Sequence, residues 1–394
     1  MLVDLRGRSV IVGVSGSIAA YKSLELIRLF IKSNALVQVV MSESAKKFVT
    51  PLSLEALSQN KVLCSKTESW DENGLNHISL KDRGEIFILA PASVNTINKL
   101  SCGVCDTLLL QSLVAFGKKT LLAPAANSAM LEFESTKESL KKLQDMNISI
   151  IPPKESLLAC QEVGNGALAE PLEIYYQACR ELLKTEFWSD KGVVVSGGGS
   201  SEMIDSIRSI TNASSGKMAS SIALILYLRG ANVSFVTSKL PYTMPKNIEL
   251  VLYESSDELK KELEIRSDKD YLFMVAAVAD FIPKKVDGKI KKDNIDTLNL
   301  VLEKNSDILK ELDFKGKKIG FKAESDKKNG LNSAKMMLEK KSLDAVCLNY
   351  IDDEYGFGSD KQSMSFVNKD GVYNLGSASK LELAEMIVMK VESC

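Results

Sequence analysis

The strongest constraint on the fold is an alternation of apolar, β-branched runs with segments of helical spacing. In the first half the runs are SVIVGV, LVQVVM, EIFILAP and KTLLAPA, and segments such as SIAAYKSLELIRLFIKS and DTLLLQSLVAFG lie between them. The alternation resumes at GVVVSGGG and continues through NVSFVTS, YLFMVAAVAD, KKIGFKA and LDAVCLN. This pattern is typical of βαβ units with parallel strands covered on both faces. We therefore predict an α/β protein with two open, doubly wound domains.

The boundary between the domains is predicted near residue 188. The polar stretch KTEFWSDK separates the two regions of alternation, and 394 residues are more than one hydrophobic core usually organises. We expect domains at residues 1–188 and 189–394. The charged segment IPKKVDGKIKKDNID, residues 282–296, is too polar for a core and predicts an exposed flap or hairpin over a site.

Composition excludes several classes of protein. The net charge is −1, from 50 basic and 51 acidic residues, so no overall field would attract nucleic acid or an anionic membrane. No apolar run approaches the ~20 residues of a membrane span. Seven scattered cysteines do not form a disulfide framework. We expect a cytoplasmic protein with no nucleic-acid or membrane partner.

Small polar residues follow the predicted strands of the first half. The stretch GVSGSIAAYK joins a strand end to a helix start, which fits either a phosphate cradle or a plain tight turn. Ser42, Ser93, Asn95 and Asn127 also follow strands. Ligands of open α/β sheets bind beyond the carboxyl ends of the strands, so these side chains are expected to converge on one crevice.

Two further features of the first half carry possible chemistry. His77 is the only histidine, so it is either the one imidazole available for proton transfer near pH 7 or an ordinary surface side chain. Cys102 and Cys105 form a CxxC pair, which suggests either thioredoxin-like redox chemistry or small packing residues at a helix start. A metal site is not expected there, because a second CxxC pair and a nearby histidine are both missing from the sequence.

Five ordered motifs of the first half resemble a known family. GVSGSIAAYK, HISL, APASVNTINKLSCGVCDTLL, PAANSAM and ACQEVGNGALAEP look like the flavin-dependent cysteine decarboxylases, in the form that acts on 4'-phosphopantothenoylcysteine. The resemblance implies a flavodoxin-like fold and FMN. Oxidation of the substrate thiol to a thioaldehyde creates the electron sink that loss of CO2 requires, and such redox steps are carried by the cofactor.

The resemblance also implies roles for individual residues. His77 would be the base or orienting group beside flavin and substrate, and Asn127 would hold the substrate carboxylate. Cys160 would protonate the enethiolate from a flap. The positions that the resemblance and the strand-end pattern associate with FMN are Gly16, Ser17, Ser42, Ser93 and Asn95.

The first half departs from the family pattern in two motifs. The usual PxMN reads Pro124, Ala125, Ala126, Asn127, so its methionine is absent. The flap pattern ACGxxGxGR reads ACQEVGNGA, with Gln161 in place of a glycine and Ala167 in place of an arginine. Loss of that arginine removes an anion contact at this position.

The second half opens with two turns that could bind phosphate. Gly197 to Gly199 permit close approach of a ligand to the backbone, and the stretch SSGK, residues 214–217, could present amides and an ammonium group to an anion. The sequence matches neither a Walker A loop nor a dinucleotide fingerprint. From the residues alone, the expectation is a phosphate or nucleotide site.

The longer pattern of the second half resembles phosphopantothenoylcysteine synthetase, the ligase that bacteria fuse behind the decarboxylase. The motifs are GGGSSEMIDSIRSITNASSGKM, AAVADF, KIKK, NSDIL, GFKAES and LDAVCLN, in the family's order. The resemblance implies a Rossmann-like fold and activation of the substrate carboxylate by CTP as an acyl cytidylate, with release of pyrophosphate. Mg²⁺ is expected with CTP, and its protein ligands stay unknown.

By the same resemblance, Asn212 is expected to stabilise the acyl-cytidylate step, and Arg208 to lie near the anionic substrate. Lys289 is the key lysine of the flap. The remaining positions expected to contact the nucleotide are Met274, Val275, Ala276, Asp280, Ser306, Asp307, Ile308, Leu309, Phe321 and Lys341.

Together the two resemblances predict a bifunctional lyase and ligase of coenzyme A synthesis. The second half would join cysteine to 4'-phosphopantothenate with CTP, and the first half would decarboxylate the product with FMN. Family members of the flavin half form trimers or dodecamers and the ligase half dimerises, so a homo-oligomer is implied. The alternative is a chain in which only the ligase is active and the first half is a flavin-binding assembly module.

Overall fold

A computed structural model describes residues 1–157, 163–291, 297–326, 328–350 and 358–394. The chain divides into two compact units, residues 2–183 and residues 184–394 together with residue 1. No helix among the described residues is long and apolar enough to cross a membrane.

Among its described residues, the first unit contains seven strands and eight α-helices, with 3₁₀ turns at Ile18–Tyr21 and Ala45–Lys47. The strands are β1 (Ser9–Val14), β2 (Leu36–Met41), β3 (Ile86–Ala92), β4 (Thr120–Pro124), β5 (Ile148–Ile150), β6 (Lys154–Leu157) and β7 (Val163–Ala167). The helices are α1 (Lys22–Lys32), α2 (Pro51–Ser58), α3 (Leu80–Arg83), α4 (Val94–Ser101), α5 (Leu108–Phe116), α6 (Ser128–Glu132), α7 (Glu134–Asp145) and α8 (Pro171–Leu183).

Five strands of this unit form one parallel sheet in the order β2-β1-β3-β4-β5. This is the flavodoxin-like order, in which the chain direction switches between β1 and β3. The predicted fold class of this half is confirmed. Both faces of the sheet are buried, so β1 and β3 are almost continuous apolar runs.

Side-chain caps begin α4, which directly follows β3, and α5, which follows the loop after α4. The Ser93 side chain accepts the backbone N–H of Thr96 at the start of α4, and the Thr107 side chain accepts that of Leu110 at the start of α5. The interpretation of the CxxC pair as packing residues at a helix start is wrong. Cys102 follows the last residue of α4 and is exposed, and Cys105 lies in the loop before α5.

The second unit contains twelve strands and five helices among its described residues. The strands are β8 (Gly192–Gly197), β9 (Ser201–Met203), β10 (Ser209–Thr211), β11 (Asn232–Thr237), β12 (Glu249–Leu252), β13 (Tyr271–Met274), β14 (Phe281–Pro283), β15 (Leu302–Lys304), β16 (Lys317–Glu324), β17 (Ala345–Tyr350), β18 (Lys361–Asn368) and β19 (Val372–Ser379). The helices are α9 (Lys217–Leu228), α10 (Ser256–Ile265), α11 (Ile308–Glu311), α12 (Gly330–Lys340) and α13 (Lys380–Glu392).

Eight of these strands form a sheet in the order β12-β11-β8-β13-β16-β17-β18-β19. The pairs from β12 to β17 are parallel, and β18 and β19 add an antiparallel edge. The predicted open α/β sheet is therefore confirmed, with three strands, β12, β18 and β19, that the sequence pattern missed. The predicted strand YLFMVAAVAD ends at Met274, so its last six residues form a loop instead.

The predicted flap lies between the paired strands β14 and β15. Residues 284–289 are exposed, as expected for a polar segment, and residues 292–296 lie outside the described part of the chain.

Candidate functional site

The first unit has a cavity of about 490 Å³ at the carboxyl ends of β1, β2 and β3. We call it the serine cavity. Its wall includes all five predicted cofactor positions: Gly16, Ser17, Ser42, Ser93 and Asn95. The wall also includes large apolar side chains, namely Ile18, Phe48, Val94, Leu109, Leu110 and Met130, and further polar ones, namely Glu43, Ser44, Thr96 and Thr107. This mixed lining suits a ligand with a flat apolar body and an anionic tail.

A buried serine aligns the strand ends that form the cavity. The Ser15 hydroxyl donates to the carbonyl of Pro91 (2.7 Å) and accepts the backbone N–H of Ser93 (2.8 Å), and it is fully buried. The hydroxyls of Ser42 and Ser93 accept backbone N–H groups of the turns that follow them. These serines therefore also shape the loops, a structural role that is compatible with ligand binding.

A second cavity, of about 520 Å³, continues from the first. We call it the hairpin cavity because β6 and β7 form one side. It shares four residues with the serine cavity: Ser17, Ile18, Ala125 and Ala126. Asn127, Lys22 and Lys154 also line it. Because the two cavities share these residues, a ligand in one cavity would contact a ligand in the other.

Close backbone packing fixes the hairpin against the loop that carries Asn127. Ala126 donates its N–H to the carbonyl of Gly166 (3.0 Å). A Cβ atom added at Gly166 would lie 2.1 Å from the carbonyl oxygen of Ala126, so only glycine allows this approach. Cys160 and Gln161, which lie between β6 and β7 in the sequence, are outside the described residues.

His77 is oriented by a carboxylate that sequence reasoning missed. Its Nδ1 lies 2.7 Å from Oε1 of Glu68, and its backbone N–H donates to the same oxygen at 3.3 Å. The ring also packs edge-on against Trp70, with centroids 5.4 Å apart. A carboxylate at Nδ1 holds the proton on that nitrogen and leaves Nε2 for chemistry. Within the described part of the chain, His77 lines neither the serine cavity nor the hairpin cavity.

The second unit has a cavity of about 410 Å³ beyond the ends of β13 and β16. We call it the aspartate cavity, because Asp280 and Asp307 line it. It brings together nine predicted nucleotide contacts: Met274, Ala276, Asp280, Ser306, Asp307, Ile308, Leu309, Phe321 and Lys341. Lys341 Nζ lies 2.9 Å from the Asp307 carboxylate.

Arg208 and Lys289 lie outside the aspartate cavity, but a buried aspartate links their segments. Asp205 accepts backbone N–H groups from Ile207 (2.8 Å), Arg208 (2.8 Å) and Ile290 (3.1 Å). These backbone hydrogen bonds, first that from Ile207, lower the pKa of the Asp205 carboxyl group. Arg208 Nη2 donates to the carbonyl of Ile290 at 3.0 Å. Asp205 thus anchors the flap next to Lys289.

Asn212 ties its loop to the segment that follows β13. Its Nδ2 donates to the carbonyls of Ala277 (3.1 Å) and Val278 (3.0 Å). Val278 lines the aspartate cavity, whereas Ala277 and the predicted contact Val275 line a neighbouring cavity of about 200 Å³. We call this the lysine cavity, after Lys217 and Lys380 in its wall. Asn212 therefore lies where the two cavities meet.

Comparisons with known proteins match the two halves of the chain to two different family models. Residues 2–182 match the family model "Flavoprotein", and residues 188–394 match "DNA/pantothenate metabolism flavoprotein C-terminal domain". The coenzyme A biosynthesis bifunctional protein CoaBC of Haemophilus influenzae is 35% identical over 99% of this chain and 98% of its own. The chain belongs to this bifunctional family. The Bacillus subtilis member is 33% identical over 98% of this chain and 97% of its own.

Among solved structures, a PPC decarboxylase variant in complex with pantothenoylaminoethenethiol is 34% identical to this chain. The match covers 44% of this chain and 97% of that one, with a TM-score of 0.41. Membership of the family confirms the prediction of a bifunctional enzyme of coenzyme A synthesis with decarboxylase and ligase activities, and it does not favour the alternative in which only the ligase is active.

Proposed function

We propose that this chain is a cytoplasmic homo-oligomeric enzyme that converts 4'-phosphopantothenate, cysteine and CTP into 4'-phosphopantetheine. The ligase half would form 4'-phosphopantothenoylcysteine, and the flavin half would decarboxylate it with FMN. The main support is that residues distant in sequence line the same walls: five predicted cofactor positions in the serine cavity and nine predicted nucleotide contacts in the aspartate cavity. Product analysis with all substrates and Mg²⁺ present tests both halves.

In the flavin half, the serine cavity fits FMN. Polar groups at the strand ends suit the phosphate, and the apolar wall suits the ring system. When bound, the flavin supplies the redox chemistry, accepting a hydride from the substrate and returning it. Asn127, in the adjoining hairpin cavity, is positioned to hold the substrate carboxylate. Cys160, whose proposed role is protonation of the enethiolate, lies outside the described residues.

We infer that the His77 serving one active site comes from a second copy of the chain. Within one copy His77 contributes to neither described cavity, and its neighbour Trp70 is 67% exposed. Ile78, which follows His77 in the sequence, is also exposed, so His77 lies next to two exposed apolar side chains, as is common at an interaction surface. Nε2 of His77 would then take the thiol proton of a substrate bound in the neighbouring subunit.

In the ligase half, the aspartate cavity would hold CTP and Asn212 would align the reacting groups. The carboxylate of 4'-phosphopantothenate would attack the α-phosphate with loss of pyrophosphate, and the cysteine amine would then displace CMP. Asn212 uses both amide hydrogens on the carbonyls of Ala277 and Val278, so it acts by fixing that backbone. Lys289, on the exposed flap, would neutralise charge on the phosphates.

The described residues contain no group of three His, Cys, Asp or Glu side chains that could hold a metal ion. Mg²⁺ usually keeps several waters and binds through nucleotide phosphates with one or two carboxylates. Asp280 and Asp307 are the carboxylates in the wall of the aspartate cavity, and Asp307 is paired with Lys341. Of the two, Asp280 is the better candidate to contact a magnesium ion carried by CTP.

A lysine stands opposite the position where the family pattern has an arginine. Lys154 of β6 pairs with Ala167 of β7 in the antiparallel ladder, and it lines the hairpin cavity. Lys154 and Lys22 share one carboxylate, Glu170, with the Lys22 contact at 3.6 Å. The hydrogen bond from Lys154 is the main reason that the pKa of Glu170 is lowered. Two ammonium groups and one carboxylate give this part of the cavity wall a net positive charge. Lys154 would therefore bind the substrate phosphate in place of the absent arginine.

Substitution of Lys154 with alanine should raise KM for 4'-phosphopantothenoylcysteine by about tenfold, because one charge-assisted hydrogen bond to the substrate is lost. The value of kcat and the flavin content should stay unchanged in steady-state CO2-release assays. Lys137→Ala is the matched control, since Lys137 pairs with Glu132 on the surface. Adding Ala167→Arg to Lys154→Ala should restore KM. An unchanged KM in the single variant would refute the role.

A further inference from the structure

The flap contacts the loop that joins β9 to β10. We call this loop, residues 204–208, the docking loop. The backbone N–H of Val286 donates to a carbonyl of the docking loop (2.9 Å), and the carbonyl of Gly288 accepts the N–H of Ser206 (3.1 Å). Both hydrogen bonds lie just before Lys289 along the flap. The flap is therefore held by a second segment of the chain at the point where its key lysine follows.

Asp205 divides its two carboxylate oxygens between the docking loop and the flap. Its Oδ1 accepts the N–H groups of Ile207 and Arg208, both at 2.8 Å, which folds the docking loop. Its Oδ2 accepts the N–H of Ile290, on the flap, at 3.1 Å. The Nη1 atom of Arg208 lies 3.7 Å from Oδ2, so its positive charge partly balances the carboxylate. Because Asp205 is fully buried and its acceptor is charged, these are strong hydrogen bonds.

Lys289 lies between two peptide groups that the docking loop holds. The carbonyl of Gly288 precedes it and the N–H of Ile290 follows it. The carbonyl of Ile290 is also held, by Nη2 of Arg208 at 3.0 Å. Lys289 is exposed and lines none of the four cavities that the described residues form. A lysine stem is flexible, so the place that its ammonium group can reach depends on where the backbone is fixed.

We propose that Asp205 is a positioning residue for carboxylate activation, which holds the flap so that Lys289 meets the phosphates of CTP. This inference rests on the proposed ligase function and adds a residue that contacts neither the nucleotide nor the acid. Placement has a large effect on rate, because a shift of about 1 Å costs roughly 100-fold. Asp205 acts through Lys289 alone, so its loss should matter only while Lys289 is present.

The two oxygens of Asp205 allow the flap contact to be removed by itself. In Asp205→Asn the amide oxygen replaces Oδ1 and keeps both N–H groups of the docking loop, and the amide nitrogen then faces the N–H of Ile290, which it cannot accept. Hydrogen exchange of residues 286–290 should become faster, while exchange of β9 and β10 stays unchanged. Asp313→Asn, at an exposed position, is the matched control and should exchange as wild type. This measurement needs no ligase activity.

Pyrophosphate release in a single turnover without cysteine measures the effect on activation. Asp205→Asn should lower the rate at saturating CTP by about 10–100-fold. The Kd for CTP, from calorimetry, should stay unchanged, because the aspartate cavity keeps its contacts. Lys289→Met should lower the rate at least as much. The double variant should be no slower than Lys289→Met, the result expected when one residue acts only through the other.

Ile290→Pro removes the same hydrogen bond from the flap side and leaves Asp205 in place. The amide of Val286 should again exchange faster, and this variant decides the outcome if Asp205→Asn disturbs the docking loop. Wild-type flap exchange in both variants would overturn the proposal. Losses that multiply in the double variant of Asp205 and Lys289 would also overturn it. Faster flap exchange in a chain whose wild type releases no pyrophosphate would support the docking contact and contradict only the ligase function.

Discussion

Replacement of His77 with asparagine should abolish CO2 release from 4'-phosphopantothenoylcysteine, lowering kcat by about 10²–10⁴-fold, the usual contribution of a general acid or base. The imidazole is the only one in the chain, so no second histidine can replace it. Its Nδ1 contact with Glu68 presents Nε2 for proton transfer, and asparagine cannot take up a proton near pH 7. CTP-dependent ligation by the same protein should be unchanged, because the ligase half has no histidine.

The controls separate a chemical role of His77 from a structural one. Flavin absorbance of the His77→Asn protein should match wild type, and Glu68→Gln, which keeps the imidazole but removes the carboxylate that orients it, should cause a smaller loss of CO2 release. Mixing His77→Asn subunits with Asn127→Ala subunits before reassembly should restore part of the activity, because some sites would then receive His77 from one copy and Asn127 from the other. Loss of both activities in a folded His77→Asn protein would contradict the division between the two halves.

Replacement of Asn212 with alanine should lower the rate of 4'-phosphopantothenoyl-cytidylate formation by about 100-fold, the effect expected when reacting groups shift by about 1 Å. The side chain makes two hydrogen bonds, at 3.1 and 3.0 Å, that hold the backbone between the two ligase cavities. Without them the carboxylate and the α-phosphate lose their alignment, while each cavity keeps its own contacts. The measurement is pyrophosphate release in a single turnover without cysteine.

Asn247→Ala provides the matched control, since Asn247 is exposed and lines none of the four cavities. Its pyrophosphate release should equal that of wild type, and CO2 release should be normal in both variants. An Asn212→Ala protein with wild-type pyrophosphate release would remove Asn212 from the activation step.

The sequence predicts the parallel strands well, because each is a short apolar run buried on both faces. SVIVGV and LVQVVM coincide with β1 and β2. It fails at β18 and β19, where polar and apolar residues mix along an antiparallel edge and give no continuous apolar run. It also extends β13 too far, since the apolar residues after Met274 form a loop between two cavities.

The convergence of strand-end residues on one cavity was predictable, because the carboxyl ends of parallel strands meet at one edge of the sheet. Ser42 and Ser93 reach the same cavity for this reason. Glu68 and Asp205 were missed, because each meets its hydrogen-bond partners only in the tertiary structure.

Incubation of the purified chain with 4'-phosphopantothenate, cysteine, CTP and Mg²⁺, followed by mass analysis of the products, tests the central claim most directly. The account predicts 4'-phosphopantetheine, CMP, pyrophosphate and CO2 in equal amounts. Accumulation of 4'-phosphopantothenoylcysteine without CO2 would contradict an active flavin half, and absence of any cysteine adduct would contradict the ligase.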